Sequence, residues 1–427
     1  MRQATYFTVP LNTRVPGTPE PRTVSYSALC CTRCNACVQS CPSYLLQREE
    51  IFSPRGRVQL LRLLLEEKIK PAPHTKLIKQ TLRACTLCAR CTQTCAGQIP
   101  VAHHMIVLRR QMQFHFLPVT LRAAHYLRAQ FPAFFDLLLG AGLLLRRVGL
   151  ITLLQFFLPT WLRHAHKVLP HRCLSLKTVL KKHGISATDQ NPDALYLPSL
   201  EVQYFDGNIA RYTLKATHAE RPHILQHTSS GLFEYMYGSQ VTCLKQAKKL
   251  LRTWEKYSTA KPIALLTDSI EIYSFLKNYP LLFATLPGWK KRAEAFAQSV
   301  KFITDFSFAD GKTDTSGRRA ALDDSTVLYP PTDAAERARK ILLAKFGSNM
   351  IQCTYSRFPV PVAGGAFAYP AQARKVVREV ARDVVQHQVT DIYCLSVWAA
   401  LEISAATRRY YPAATAKHIA YLQADYE

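Results

Sequence analysis

Two stretches of this chain carry cysteines at a spacing that few chemistries use. The first, CTRCNACVQSCP, runs from Cys31 to Pro42 and holds Cys31, Cys34, Cys37 and Cys41; the second, CTLCARCTQTC, repeats the spacing with Cys85, Cys88, Cys91 and Cys95. Three thiolates within seven residues suit one face of an iron–sulfur cubane, and the fourth, with a proline after it, suits the neighbouring cluster, which is the two-cluster bacterial ferredoxin pattern. A zinc site built from paired C-x2-C units separates the pairs by a longer loop, so zinc is the lesser reading. The spacing therefore predicts two 4Fe-4S clusters with crossed ligands. One would use Cys31, Cys34, Cys37 and Cys95, the other Cys85, Cys88, Cys91 and Cys41. Cys30 has the wrong interval to Cys34 and reads as a bystander, and Ala96 stands where the pattern has its second proline. Such clusters conduct electrons and make no bonds, so no substrate site is expected in this chain, and donor and acceptor must lie elsewhere.

The elements that must hold these runs are helical. VQLLRLLLEEKI (Val58 to Ile69) and KLIKQTLRA (Lys76 to Ala84) place apolar residues at helical intervals, with PAPH read as the break between them. Residues 29–103 form one small cluster module, preceded by an extended arm at 1–28 and followed at 104–191 by a connector that is apolar and basic at once. Within residues 101–185 there are twelve Lys or Arg and a single acid, Asp136. Asp136 and the Arg146-Arg147 pair cut the apolar run into pieces too short to span a bilayer. Two readings stay open for it, with helices packed on the protein's own core preferred to a surface, Leu137 to Leu162, that docks on a membrane or partner. Beyond residue 192, DALYLPSL, KPIALLTD, STVLYPP and VTDIYCLS read as buried strands, each followed by a helical pattern. That alternation predicts two α/β units, 192–309 and 325–427, joined by a linker at 310–324, and an α+β multidomain protein overall.

The 427 residues carry 55 Lys and Arg against 29 Asp and Glu, a net charge of +26, which favours anionic partners. No nucleic-acid recognition element is visible, so nucleic acid is not the expected one. The N-terminal MRQATYFTVPLNTRVPG lacks the apolar stretch of a secretory signal, which predicts a cytoplasmic protein, peripheral on the membrane if it meets one. A reducing compartment argues against disulfides, and Cys173, Cys243, Cys353 and Cys394 read as single structural cysteines. There is no G-x-G-x-x-G, no phosphate-binding G-x-x-x-x-G-K-[ST] loop and no H-E-x-x-H. His103, His104, His164, His166 and His171 fall in the basic helical region with no carboxylate partner in view, and read as solvated or membrane-facing.

CTRCNACVQSCPSYLL, SPRGRVQLLRLLLE (Ser53 to Glu66) and RACTLCARCTQTCAGQIPVAHHM together resemble the iron–sulfur subunit of glycolate oxidase and its lactate-utilisation and anaerobic glycerol-3-phosphate dehydrogenase relatives. The PRGR element, Pro54 to Arg57, is the more specific part. The resemblance implies a helical connector and two cysteine-rich α/β repeats, each with a Cys-Cys-Gly signature that holds a further cluster or serves electron transfer. Here the signature positions read Ser229-Ser230-Gly231 and Val362-Ala363-Gly364, the strand-end cysteine corresponds to about Leu200, and the His-x-x-Cys region to Leu328 to Thr332. Serine and alanine are no substitute for soft thiolate ligands. The resemblance thus implies an electron-transfer subunit whose repeats are scaffold. It would pass electrons from an FAD-containing 2-hydroxy-acid dehydrogenase subunit toward a membrane quinone. A glycerol-3-phosphate or heterodisulfide reductase-like complex, or a mainly structural adaptor, is the alternative.

Overall fold

The computed structural model describes residues 28–426 apart from 70, 112–116, 118, 155, 171–172, 186–190, 227, 238–239, 259–261, 307–312, 315, 326–331, 353–359 and 362–364. Nearly all of the N-terminal arm, Cys353, His171 and the Val362-Ala363-Gly364 position lie outside the described residues, as does Leu328 to Thr332 but for Thr332.

The cluster module is helical. Helix α1 (Pro42–Gln47) leaves the first cysteine run, and α2 (Pro54–Leu65) begins where the Ser53 hydroxyl accepts the Gly56 N–H at 2.8 Å. Pro54 occupies the first helical position, where its missing N–H costs nothing. Helix α3 (Pro71–Ala84) starts at Pro71, so the PAPH stretch opens the helix it was expected to precede; proline is at home there for the same reason. Helix α4 (Val101–Gln111) packs against α2 and α3, and Leu61, Leu82, Met105 and Ile106 are buried.

In the connector, α5 (Val119–Gln130) and α6 (Pro132–Arg147) pair as a hairpin, and α7 (Thr160–Val168) returns to the body of the protein. The preferred reading of this region as core-packed helices is corrected for α6 alone: α7 buries His164, Ala165 and Val168, whereas α6 packs its Leu143 against the core but has no fully buried residue. Its acid is turned inward, where the Tyr204 hydroxyl donates to Asp136. What remains outward is apolar and basic, because the one group that would have balanced the charge is spent on anchoring.

Two parallel sheets follow. The first joins β1 (Ala194–Leu197), β2 (Pro222–Ile224), β3 (Ala264–Thr267) and β4 (Val300–Phe302) in the order β2-β1-β3-β4, with Ala194 facing Pro222 on one side and Ala264 on the other. The second joins β5 (Ala320–Asp323), β6 (Met350–Ile351), β7 (Asp391–Cys394) and β8 (Thr415–His418) in the matching order β6-β5-β7-β8. All four residues of β1 and of β7 are buried, which is why both read as unbroken apolar runs. The crossovers include α8 (Gln240–Tyr257) and α9 (Ile270–Lys277) in the first unit, and α10 (Thr332–Phe346), α11 (Pro370–Gln386) and α12 (Val397–Tyr410) in the second. Serines close corresponding strands: Ser269 after β3 and Ser396 after β7 each cap the following helix. The segment read as a linker is corrected in part, since Ala320–Asp323 within it forms an inner strand paired with both β6 and β7.

Candidate metal centre

The two cysteine runs share one backbone. In the first, Arg33 and Asn35 have positive φ, 60° and 70°; in the second, Leu87 and Ala89, at the same two offsets from the leading cysteine, have 58° and 55°. Left-handed backbone at non-glycine residues costs energy and persists only where the surroundings impose it. Its recurrence at matched positions marks a loop shaped to wrap something rather than to connect helices.

The loops also exchange their last cysteines. Cys31, Cys34, Cys37 and Cys95 line one cavity of about 140 Å³, together with Cys30, Cys91, Arg55 and Gly97. Burial, then the neighbouring Cys95, Cys31 and Cys34, push the Cys37 thiol up to about 11. At the rim the Ala36 amide and the Thr32 hydroxyl pull the exposed Cys34 below the ordinary thiol range. Cys91 is raised by burial and then by Cys88, Cys41 and Cys85, so Cys41 from the first run sits among the thiols of the second. Thiols gathered in this way repel one another once deprotonated, a repulsion a cationic core would reverse; as the chain stands, no group of three or more thiols, imidazoles or carboxylates among the described residues is placed to hold a metal ion. Cys30 borders the first cavity beside Cys31, closer to the site than a bystander needs to be.

The second set has a feature the sequence reading missed. Arg57 is 2% exposed, and its Nη1 donates to Cys41 Sγ at 3.4 Å. Its Nε and Nη2 find no hydrogen-bond partner among the described residues. Behind it, Arg109 donates through Nη2 to the carbonyls of Leu82 and Cys85, at 2.6 and 2.7 Å, and through Nη1 to Met236 O in the first α/β unit at 3.4 Å. The other unit is tied on by Gln372, which donates to Ser43 at 3.1 Å, and by an Arg90–Asp324 ion pair at 3.4 Å. A buried cation beside these thiols fits a cluster whose thiolate ligands give it a net negative charge; a set of neutral thiols leaves it uncompensated.

The histidine reading is also corrected. His103 and His104 are buried in α4, and burial pushes both down to about 3. His164 in α7 pairs with Glu402 in α12 at 2.6 Å, both buried, and Trp398 Nε1 donates to the same carboxylate oxygen at 3.1 Å. The partner lies 238 residues away, beyond any local pattern.

In the first α/β unit the signature positions serve packing. Gly231 sits at φ 81° with a Cβ position only 3.0 Å from the Cys243 carbonyl, and Ser230 O accepts from Tyr279 at 2.6 Å. Leu200 opens a helical turn capped by Ser199. Cys243 and Cys394 are fully buried, as single structural cysteines should be. At the carboxyl ends of the strands three acids are buried: burial raises Asp268 to about 6, Glu271 to about 7 and Asp323 to about 7. Asp268 accepts the Ser199 N–H at 3.0 Å.

A 4Fe-4S dicluster domain model matches residues 27–99. A probable glycolate oxidase iron–sulfur subunit of Bacillus subtilis is 26% identical over 300 residues, covering 65% of this chain and 64% of that protein. The glycolate oxidase iron–sulfur subunit of Escherichia coli is 29% identical over 82 residues, 19% of each chain. The match thus spans just under two thirds of the first relative and about a fifth of the second. No solved structure matches.

Proposed function

We propose, for a relative of the glycolate oxidase iron–sulfur subunits whose residues 27–99 are a 4Fe-4S dicluster domain, that two 4Fe-4S clusters relay electrons from a flavoprotein partner to a membrane acceptor. Cys31, Cys34, Cys37 and Cys95 hold one cluster, and Cys85, Cys88, Cys91 and Cys41 the other. The observation that carries this reading is the exchange of Cys95 and Cys41 between runs that share one backbone shape. When bound, the clusters supply one-electron chemistry. The chain's own part is to hold the thiols, to bury Cys41 of the second set while opening the first to solvent at Cys34, and to fix both loops against the two α/β units.

The donor in this reading is an FAD-containing subunit that oxidises a 2-hydroxy acid such as glycolate or lactate, and the acceptor a quinone. Membrane contact runs through the α5–α6 hairpin and the turn beyond it. Leu137, Leu144, Leu153, Phe156 and Phe157 are exposed there, in a region of twelve basic residues and one acid. No helix among the described residues is long and apolar enough to cross a membrane. An apolar face beside basic residues suits an anionic bilayer surface. The test is anaerobic copurification with the flavoprotein followed by addition of glycolate or D-lactate. Bleaching of the cluster absorbance supports the relay. Reduction by glycerol 3-phosphate or a dithiol instead would transfer the chain to another complex, and no reduction by any of them would leave an adaptor.

A further inference from the structure

The PRGR element has a physical reason for each of its last residues. A Cβ on Gly56 would lie 2.1 Å from the Glu50 carbonyl oxygen, so only glycine lets the first turn of α2 press against the chain before it. That contact delivers the next residue, Arg57, into the interior, where water cannot reach it. A buried guanidinium ordinarily finds a carboxylate or spends its donors on carbonyls. Arg109 does the latter. Arg57 does neither: one nitrogen meets Cys41 Sγ, two meet nothing among the described residues, and the charges in reach are Cys85, Cys41 and Cys91.

We propose that Arg57 is the fixed counter-charge of the second cluster, stabilising its reduced form and setting its potential above what its burial alone would give. The inference rests on the ligand assignment of Cys41, Cys85, Cys88 and Cys91. Reduction adds one electron to that cluster and breaks no bond, the electron coming from the reduced flavin partner or, in a titration, from a dithionite-poised mediator. A positive charge with no counter-ion of its own favours the more negative state, and cluster potentials follow net charge, hydrogen bonds to sulfur and exposure. The first cluster is not served in this way, because Arg33 at its rim is exposed and bonded to Gln59, and Arg55, half-buried, already has Glu50 as its counter-ion and donates to Asn35. Arg57 thereby distinguishes two sites that the cysteine spacing makes alike.

The experiment is a redox titration of the full chain, purified anaerobically, followed by electron paramagnetic resonance in wild type, Arg57→Gln and Arg57→Lys. In R57Q one of two reduction waves moves to lower potential by a tenfold or larger change in its equilibrium, about 59 mV for one electron, while the other stays. R57K, which keeps the charge, recovers most of the shift. Unmoved waves in an R57Q protein with full iron and sulfide overturn the proposal, as do two waves that move equally. If R57Q retains no second cluster, R57K decides: retention in the lysine variant supports charge balance, and loss in both overturns it in favour of shape. Wild-type protein without iron and sulfide would remove the ligand assignment itself, and this inference with it, before any variant is made.

Discussion

Replacing Phe156 and Phe157 with serine should detach this protein from anionic membranes. The two rings are 80% and 87% exposed, so their removal takes nothing from the core. Fully burying a phenylalanine side chain is worth about 1.5–3 kcal/mol, and two rings seated in the acyl boundary therefore contribute about 4 kcal/mol. At a factor of ten per 1.4 kcal/mol, their loss lowers the partition coefficient by about three orders of magnitude. The basic residues around them add about 1 kcal/mol each near an anionic surface, so binding should also weaken as salt rises or as the anionic lipid is withdrawn. Flotation with vesicles of phosphatidylcholine and phosphatidylserine, with and without the flavoprotein partner, reads this directly. Wild-type protein should float and F156S/F157S remain at the bottom, with equal iron content and equal melting temperature. Equal flotation of the two would refute the reasoning, and so would wild-type protein that stays unbound at low salt.

Three further outcomes follow from buried groups. His164→Ala leaves the Glu402 carboxylate buried with only the Trp398 donor, and should cost about 3–5 kcal/mol in denaturant unfolding; a loss below about 1 kcal/mol would mean that water reaches the site. Gly56→Ala drives a Cβ into the Glu50 carbonyl and should reduce both stability and iron retention, visible as a lower ratio of cluster to protein absorbance. Glu271 holds its proton to about pH 7 when folded and releases it near 4.5 when unfolded, so the folded state binds more protons between those values. Stability therefore falls as pH rises through that window and levels off above it. Glu271→Gln should remove about 3 kcal/mol of the decline measured between pH 5 and pH 8, and an unchanged pH dependence would contradict the buried assignment.

The chemistry was the most legible part of the chain because ligand spacing is local. Eight cysteines in two short runs repeat one spacing without help from the fold, and a 4Fe-4S dicluster domain model matches the same stretch; the inner strands β1, β3 and β7 announce themselves as apolar runs. The short strand β5 did not. Its four residues sit behind two arginines and end on an aspartate, so the segment reads as polar until Ala320 and Ala321 are seen buried between β6 and β7. Charged residues misled for a second reason. Arg57, Arg109, His103 and His104 look solvated in sequence, and their burial depends on contacts with Cys41, Met236 and other residues far along the chain. The hairpin erred in the opposite sense: its leucines looked like core, but no residue of α6 is fully buried, and Leu137, Leu138, Leu144 and Leu145 are exposed.

Iron and acid-labile sulfide, measured on the anaerobically purified chain, test the central claim most directly. Two 4Fe-4S clusters on the crossed cysteine sets predict about eight of each per chain, falling when either exchanged ligand, Cys41 or Cys95, is replaced by serine. Zinc in place of iron, about four of each with both serine variants unchanged, or a count well above eight that places metal in the α/β units would contradict it.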